Sequence, residues 1–187
     1  NEIETQGTSL HIDYDFSNVT LTSITAFRTL DQFQSGDVDF TSARLILPEA
    51  GDFRNTEIET FTQEVRLASN GDGPLQWVAG AFYFNEEVVQ DETFGLGPDF
   101  RSYIDVLLAA AGAPGALGGV EAALGLPAGA IYATGTGNQS ERYTLDDETL
   151  SLFVQFDYDL TDALTLTAGV NHTQSEKDAS ANVVNDN

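Results

Sequence analysis

Along residues 9–16, SLHIDYDF, the apolar Leu10, Ile12, Tyr14 and Phe16 alternate with Ser9, His11, Asp13 and Asp15. A period of two returns every second side chain to the same face of an extended chain, so the stretch predicts a two-sided strand near 8–16. Ser17 and Asn18 suit a turn, and VTLTSITAFRT, rich in β-branched residues, predicts the returning strand near 19–29. Its alternation is weaker, because Ser23 and Thr25 fall in phase with Val19, Leu21 and Phe27. In TFTQEVRLA, Phe61, Val65 and Leu67 oppose Thr62, Glu64 and Arg66, with Gln63 out of place on the apolar side. That strand, near 58–68, meets the turn-forming SNGDGP and then LQWVAGAFYFNEE, a strand near 75–86 with apolar groups on both faces. A third pair spans 149–158 and 163–173: Leu150, Leu152, Val154, Phe156 and Tyr158, then DLTD, then Leu164, Leu166, Ala168 and Val170.

Six strands in three hairpins result, with short turns near 17–18, 69–74 and 159–162 and long connections near 30–57 and 87–148. In an antiparallel meander this alternation puts every short turn at one end and every long loop at the other, the asymmetry of outer-membrane barrels. Phe16, Trp77 and Tyr158 lie on the apolar faces close to the short turns, where a girdle of aromatics at a membrane interface belongs. The competing explanation of period two is a soluble β-sandwich, whose apolar faces meet over a core. The one-ended loops favour the barrel. No run of about 18 apolar residues exists for a membrane helix, but a strand crosses with only about 9 to 11 residues, alternate ones apolar.

Composition narrows the partners. With 30 acidic and 7 basic residues, a net charge of −23, the chain is a poor match for nucleic acid and a good one for cations. It has no cysteine, hence no disulfide or thiolate metal site. Asn1 is not an initiator methionine, and six strands fall short of the roughly 8 that close a barrel, so the expectation is one piece of a larger barrel domain occupying 1–187.

FTQEVRLAS, GPLQWVAGAFYFNEE and LFVQFDYDLTDALTLTAGVNHTQSEKD resemble strands of TonB-dependent outer-membrane receptors, as does VTLTSITAFRTLD. The resemblance covers residues 8–86 and 149–178 and leaves 87–148 unmatched. It implies an interior slice of a barrel of about 22 strands, in the bacterial outer membrane. There it would surround a plug domain, take energy from TonB, and import a scarce solute such as a siderophore, vitamin or saccharide. Lipid and the solute are then the other partners.

Candidate chemistry is sparse. His11 and His172 have no second ligand at zinc spacing, and DYDFSN begins like a calcium loop but lacks its glycine and final glutamate. Acidic groups at Asp37 and Asp39, at Asp91 and Glu92, and at Asp146, Asp147 and Glu148 fall in the expected external loops. With Tyr103, the residues Asp91, Glu92, Asp146 and Asp147 are the candidates for solute or ion contact, Ca²⁺ being the one cofactor their carboxylates invite. His11, Asp13, Asp15, Glu64 and Arg66 are expected to face the lumen. RSYIDVLLAAAG predicts a short helix capped by Ser102, and the scarcity of charge between 106 and 140 predicts a partly buried lid or self-packed loop. Carboxylates in number also invite a glycosidase reading, but no nucleophile, phosphate-loop or metal signature accompanies them, so the expectation is a protein without a covalent step. The alternative is a secreted acidic β-sandwich or adhesin module that binds Ca²⁺ and a surface partner. EDTA would lower its melting temperature, whereas a barrel would ignore it.

Overall fold

The computed structural model describes residues 1–36, 39–47 and 54–186. The chain is an all-β antiparallel meander. Strands β1 (Glu2–Asp15), β2 (Val19–Gln34), β4 (Arg54–Ser69), β5 (Leu75–Leu96), β6 (Asn138–Thr161) and β7 (Leu164–Asp186) pair in chain order. A two-residue strand, β3 (Ile46–Leu47), pairs with the far end of β5, and helices α1 (Phe100–Ala110) and α2 (Ala116–Leu124) lie between β5 and β6. The sheet is open, β1 pairing with β2 alone and β7 with β6 alone.

Register turns the one-strand patterns into rows. On one face Tyr14, Leu21, Leu67, Ala79, Val154 and Val170 form a continuous row across all six long strands. Neighbouring rows on that face add Ile12, Val65, Ala81 and Leu152, and Leu10, Tyr83 and Leu150. These apolar side chains are uncovered: Leu10 is 60 % exposed, Leu152 51 % and Val170 65 %. Leu117 is the one large apolar side chain buried among the described residues. The sheet is thus a single layer with no core of its own, the opposite of a sandwich whose apolar faces meet.

The two irregularities in the sequence pattern explain each other. Thr25 donates to the Gln63 side-chain oxygen, and the Gln63 amide donates to Ser23 Oγ at 3.1 Å, so the three polar residues that interrupt the apolar face of β2 and β4 are mutually satisfied. A polar group with its own partners is tolerated in apolar surroundings where a lone one is costly.

The short turns form one rim. Asn70 N–H donates to the Asn18 carbonyl at 3.1 Å, and Asp159 N–H to the Pro74 carbonyl at 2.9 Å, stitching each hairpin to the next. Near this rim lie Tyr14 and Phe16, in edge contact at 4.8 Å, and the register pairs Trp77–Phe156 and Leu75–Tyr158.

On the opposite face of β5, Gly80 sits across from Phe153, whose ring occupies the space a side chain would need. A Cβ there would meet Phe153 Cζ at 2.5 Å and the Val65 carbonyl oxygen at 2.8 Å. Because the second contact is backbone and cannot rotate away, Gly80→Ala is expected to destabilise the sheet by about 1–3 kcal/mol. A urea titration of the folded protein in lipid checks this.

Most strands run further than the sequence pattern indicates. β5 continues to Leu96 and β6 starts at Asn138, so the connection between them is 97–137 rather than 87–148. Past the apolar band each face mixes polar and apolar residues, and alternation ceases to report strand structure even though the ladder continues.

Candidate functional site

The long-loop end of the sheet carries the chemistry, and strand geometry decides how it is divided. Asp91 and Glu92 are adjacent in sequence but point to opposite faces, as do Asp146 and Asp147. All four lie on strands and not in a loop. Asp91 takes Arg142 in a two-pronged contact at 2.9 and 3.1 Å. Glu92, nearly buried, is held on the other face by Arg54 and by the Gln90 amide at 2.8 Å. Asp147 pairs with Lys177 at 2.7 Å, while Asp146 stands between Glu87 and Asp178. Of these four candidates for solute or ion contact, Asp91, Glu92 and Asp147 are thus held in separate ion pairs, Asp146 is flanked by acids, and the four divide between two surfaces.

Above the apolar band its face becomes acidic: Glu59, Glu87, Asp146 and Asp178 form one row across four strands. Among the described residues, no three His, Asp or Glu side chains are grouped to hold a metal ion. Asp39, a Ca²⁺ candidate in the sequence, has both oxygens occupied. Its carboxylate accepts from Thr41 N–H and Oγ1 at 3.0 and 2.7 Å and from Leu45 and Ile46 N–H at 2.9 and 3.1 Å, which holds its pKa down at about 2. Asp37 lies outside the described residues.

The face opposite the apolar band carries His11, Asp13, Asp15, Glu64 and Arg66 together. His11 contacts Asp13 at 3.1 Å and Arg66 contacts Glu64 at 3.5 Å. On this face a row the sequence did not single out runs Gly7, Arg28, Thr60, Glu86, Asp147, Lys177. It crosses a groove of about 640 Å³ whose lining includes Thr5, Ser9, Arg28, Thr60, Thr62 and Glu86.

The segment 97–137 is organised by Glu121, the residue that sequence reasoning passed over. Its carboxylate is 2 % exposed and accepts from Arg101 Nη1 and Nη2 at 2.7 and 3.0 Å and from the backbone N–H groups of Ile131 and Gly129 at 2.8 and 3.0 Å. Arg101 also donates to the Ile131 carbonyl. These donors favour the charged form and pull the Glu121 pKa from 4.5 to about 2. The cue was visible: Glu121 is the single charged residue between 106 and 140. Ser102 does not cap α1; Asp99 occupies the N-cap position without capping through its side chain, and its Oδ2 instead accepts from Arg44 N–H at 2.9 Å in the first long loop. Both loops meet here. Gly97 passes so close to Arg44 that a Cβ would lie 2.1 Å from its carbonyl oxygen, and Leu96 exchanges backbone hydrogen bonds with Gly135 and Thr136. The segment is partly buried: α2 buries Leu117 and Glu121, while Tyr103 is 47 % exposed, Val106 67 % and Leu124 66 %. The polar knot around Glu121 ties this segment together beside the buried Leu117 and the edge contact of Phe100 with Tyr132 at 5.3 Å.

No family model matches the chain, and no curated protein matches it. Among solved structures it is similar to the ferric yersiniabactin uptake receptor FyuA from Yersinia pestis, with a TM-score of 0.55 and 15 % identity. The match covers 96 % of this chain and 24 % of that one, so the chain spans about a quarter of the receptor's length. At this identity the likeness establishes the fold alone: an antiparallel strand meander that matches part of a β-barrel.

Proposed function

We propose that this chain forms part of the wall of an outer-membrane barrel that works as a TonB-energised receptor, binding a scarce solute outside the cell and importing it. The observation that carries the reading is the uncovered apolar band, whose central row is apolar across all six long strands, bounded by aromatics on the short-turn side and by an acidic row on the long-loop side. From Leu150 to Tyr158 the band on β6 spans eight residue steps, about 27 Å along a strand and roughly 20 Å along the normal of a barrel tilted by about 40°. That approaches the ~25 Å apolar belt of such barrels. Lipid outside and water inside give each face its own solvent.

In this reading the face of His11, Asp13, Asp15, Glu64 and Arg66 lines the lumen against a plug domain, and the segment 97–137 stands at the external mouth with Tyr103 exposed. Binding and gating are its chemistry, with no covalent step. Further strands complete the ladder at β1 and β7, because an open edge in lipid leaves backbone groups unpaired.

Electrophoresis of the native protein in mild SDS tests this. An outer-membrane band containing these peptides should change mobility on boiling. A band near the chain's own 20.1 kDa, soluble without detergent and unmoved by heating, would overturn the reading and favour the acidic binding module.

A further inference from the structure

Arg28 stands apart in the charge pattern. Of the 7 basic residues, Arg44, Arg54, Arg66, Arg101, Arg142 and Lys177 each have a carboxylate partner within 4.0 Å, and Arg28 has none among the described residues. A cation left without an anion in a chain of net charge −23 is notable, since 30 acids compete for very few bases. Its position adds to this. Arg28 lines the 640 Å³ groove beside the hydroxyls of Thr5, Ser9, Thr60 and Thr62. Its register partner on β1 is Gly7, which leaves the space over the row open. That glycine is not demanded by the backbone: a Cβ there would meet its nearest neighbour, the Phe27 carbonyl oxygen, at an ordinary 3.5 Å. On the far side of Thr60, two strands and so about 10 Å from Arg28, Glu86 accepts from Thr60 Oγ1 at 3.0 Å and keeps a second oxygen for another donor.

We propose that this groove is a solute subsite for a polyhydroxylated monocarboxylate, with Arg28 receiving the carboxylate and Thr60, Thr62 and Glu86 receiving the hydroxyls. The proposal deepens the receptor reading and rests on it, since it names the class of solute that the lumen wall engages. The chemistry selects at both ends. A guanidinium binds a carboxylate through two parallel hydrogen bonds. One cation suits one anionic group, and a second carboxylate would meet Glu86 and the negative field of the protein. A neutral polyol would satisfy Glu86 but leave the guanidinium without its anion.

The test uses the full-length protein containing this chain, reconstituted in lipid nanodiscs, with D-gluconate and its neutral counterpart sorbitol as probes in a ligand-observed NMR titration. Gluconate is expected to bind at least about tenfold more tightly than sorbitol. Arg28→Gln should abolish that preference, Arg28→Lys should keep part of it, and Gly7→Leu, which fills the groove and leaves Arg28 in place, should weaken both probes. Equal binding of the two probes, a preference that survives Arg28→Gln, or no binding of either because another segment of the protein already covers Arg28, would each overturn the proposal. Heat-dependent mobility of the same samples reports separately on the closed barrel, so a failed subsite is distinguished from a failed receptor reading.

Discussion

Val154→Arg should destabilise the protein by about 2–4 kcal/mol in lipid, the cost of arginine on the lipid face at the midplane of a barrel. Val154 sits in the middle of the apolar band, between Ala79 on β5 and Val170 on β7. The small neighbours give a long side chain nothing polar to reach, and snorkelling from the centre of the band is least effective. Its sequence neighbour Gln155 points to the other face, beside Val78 and Gly169. There Gln155→Arg should change stability by no more than about 0.5 kcal/mol, as at ordinary hydrated positions. Urea titrations of both variants refolded into vesicles compare them directly. Equal effects would mean that both faces meet the same solvent, which fits a soluble sheet and not a barrel wall.

The second large effect is expected at Glu121. Glu121→Ala removes the acceptor of four hydrogen bonds and leaves the Arg101 guanidinium and the Gly129 and Ile131 N–H groups to find water. Local opening of 97–137 should become roughly tenfold to a hundredfold more frequent, seen as faster limited proteolysis within that segment while the paired strands stay resistant. Glu121→Gln should fall between, because it keeps acceptor capacity but loses the charge. The same carboxylate makes the segment acid-sensitive. Its folded pKa, about 2, lies below its ordinary 4.5, so its contribution is complete above about pH 4.5 and is lost as pH falls towards 2. A spin label on Leu107→Cys should stay immobile from neutral pH down to about 4.5 and loosen progressively below it.

What the sequence made legible was whatever period two could report. Leu10, Ile12 and Tyr14 announce their shared face without help, as do Leu150, Leu152 and Val154, because every second residue of those segments is apolar. Glu87 to Leu96 announce nothing, since each face of that extension mixes polar and apolar residues without alternation, and a loop was the natural expectation there. Grouping acids by closeness in sequence failed for a related reason. On a strand, Asp91 and Glu92 are on opposite surfaces, so adjacency separates where it seems to unite.

The residues that organise the 97–137 segment and the proposed subsite were harder still. Glu121 could have been singled out as a lone acid in an apolar run, but its partner Arg101 is 20 positions away and only the folded segment joins them. Arg28 looks ordinary until the other six bases have been matched with their acids. Gln63 looked like an interruption of the apolar pattern and is part of a satisfied cluster with Ser23 and Thr25.

The central claim, that one face of the sheet meets lipid and the other water, is open to a direct measurement. The chain contains no cysteine, so single cysteines carrying nitroxide labels can be placed at each position from Leu150 to Asp157 in the lipid-reconstituted protein. Accessibility to oxygen, which concentrates in lipid, and to a water-soluble nickel complex should alternate residue by residue. Leu150, Leu152, Val154 and Phe156 should be oxygen-rich, and Ser151, Phe153, Gln155 and Asp157 should show the reverse. A profile without period two, or one in which the nickel complex reaches the apolar face as freely as the polar one, would contradict the account.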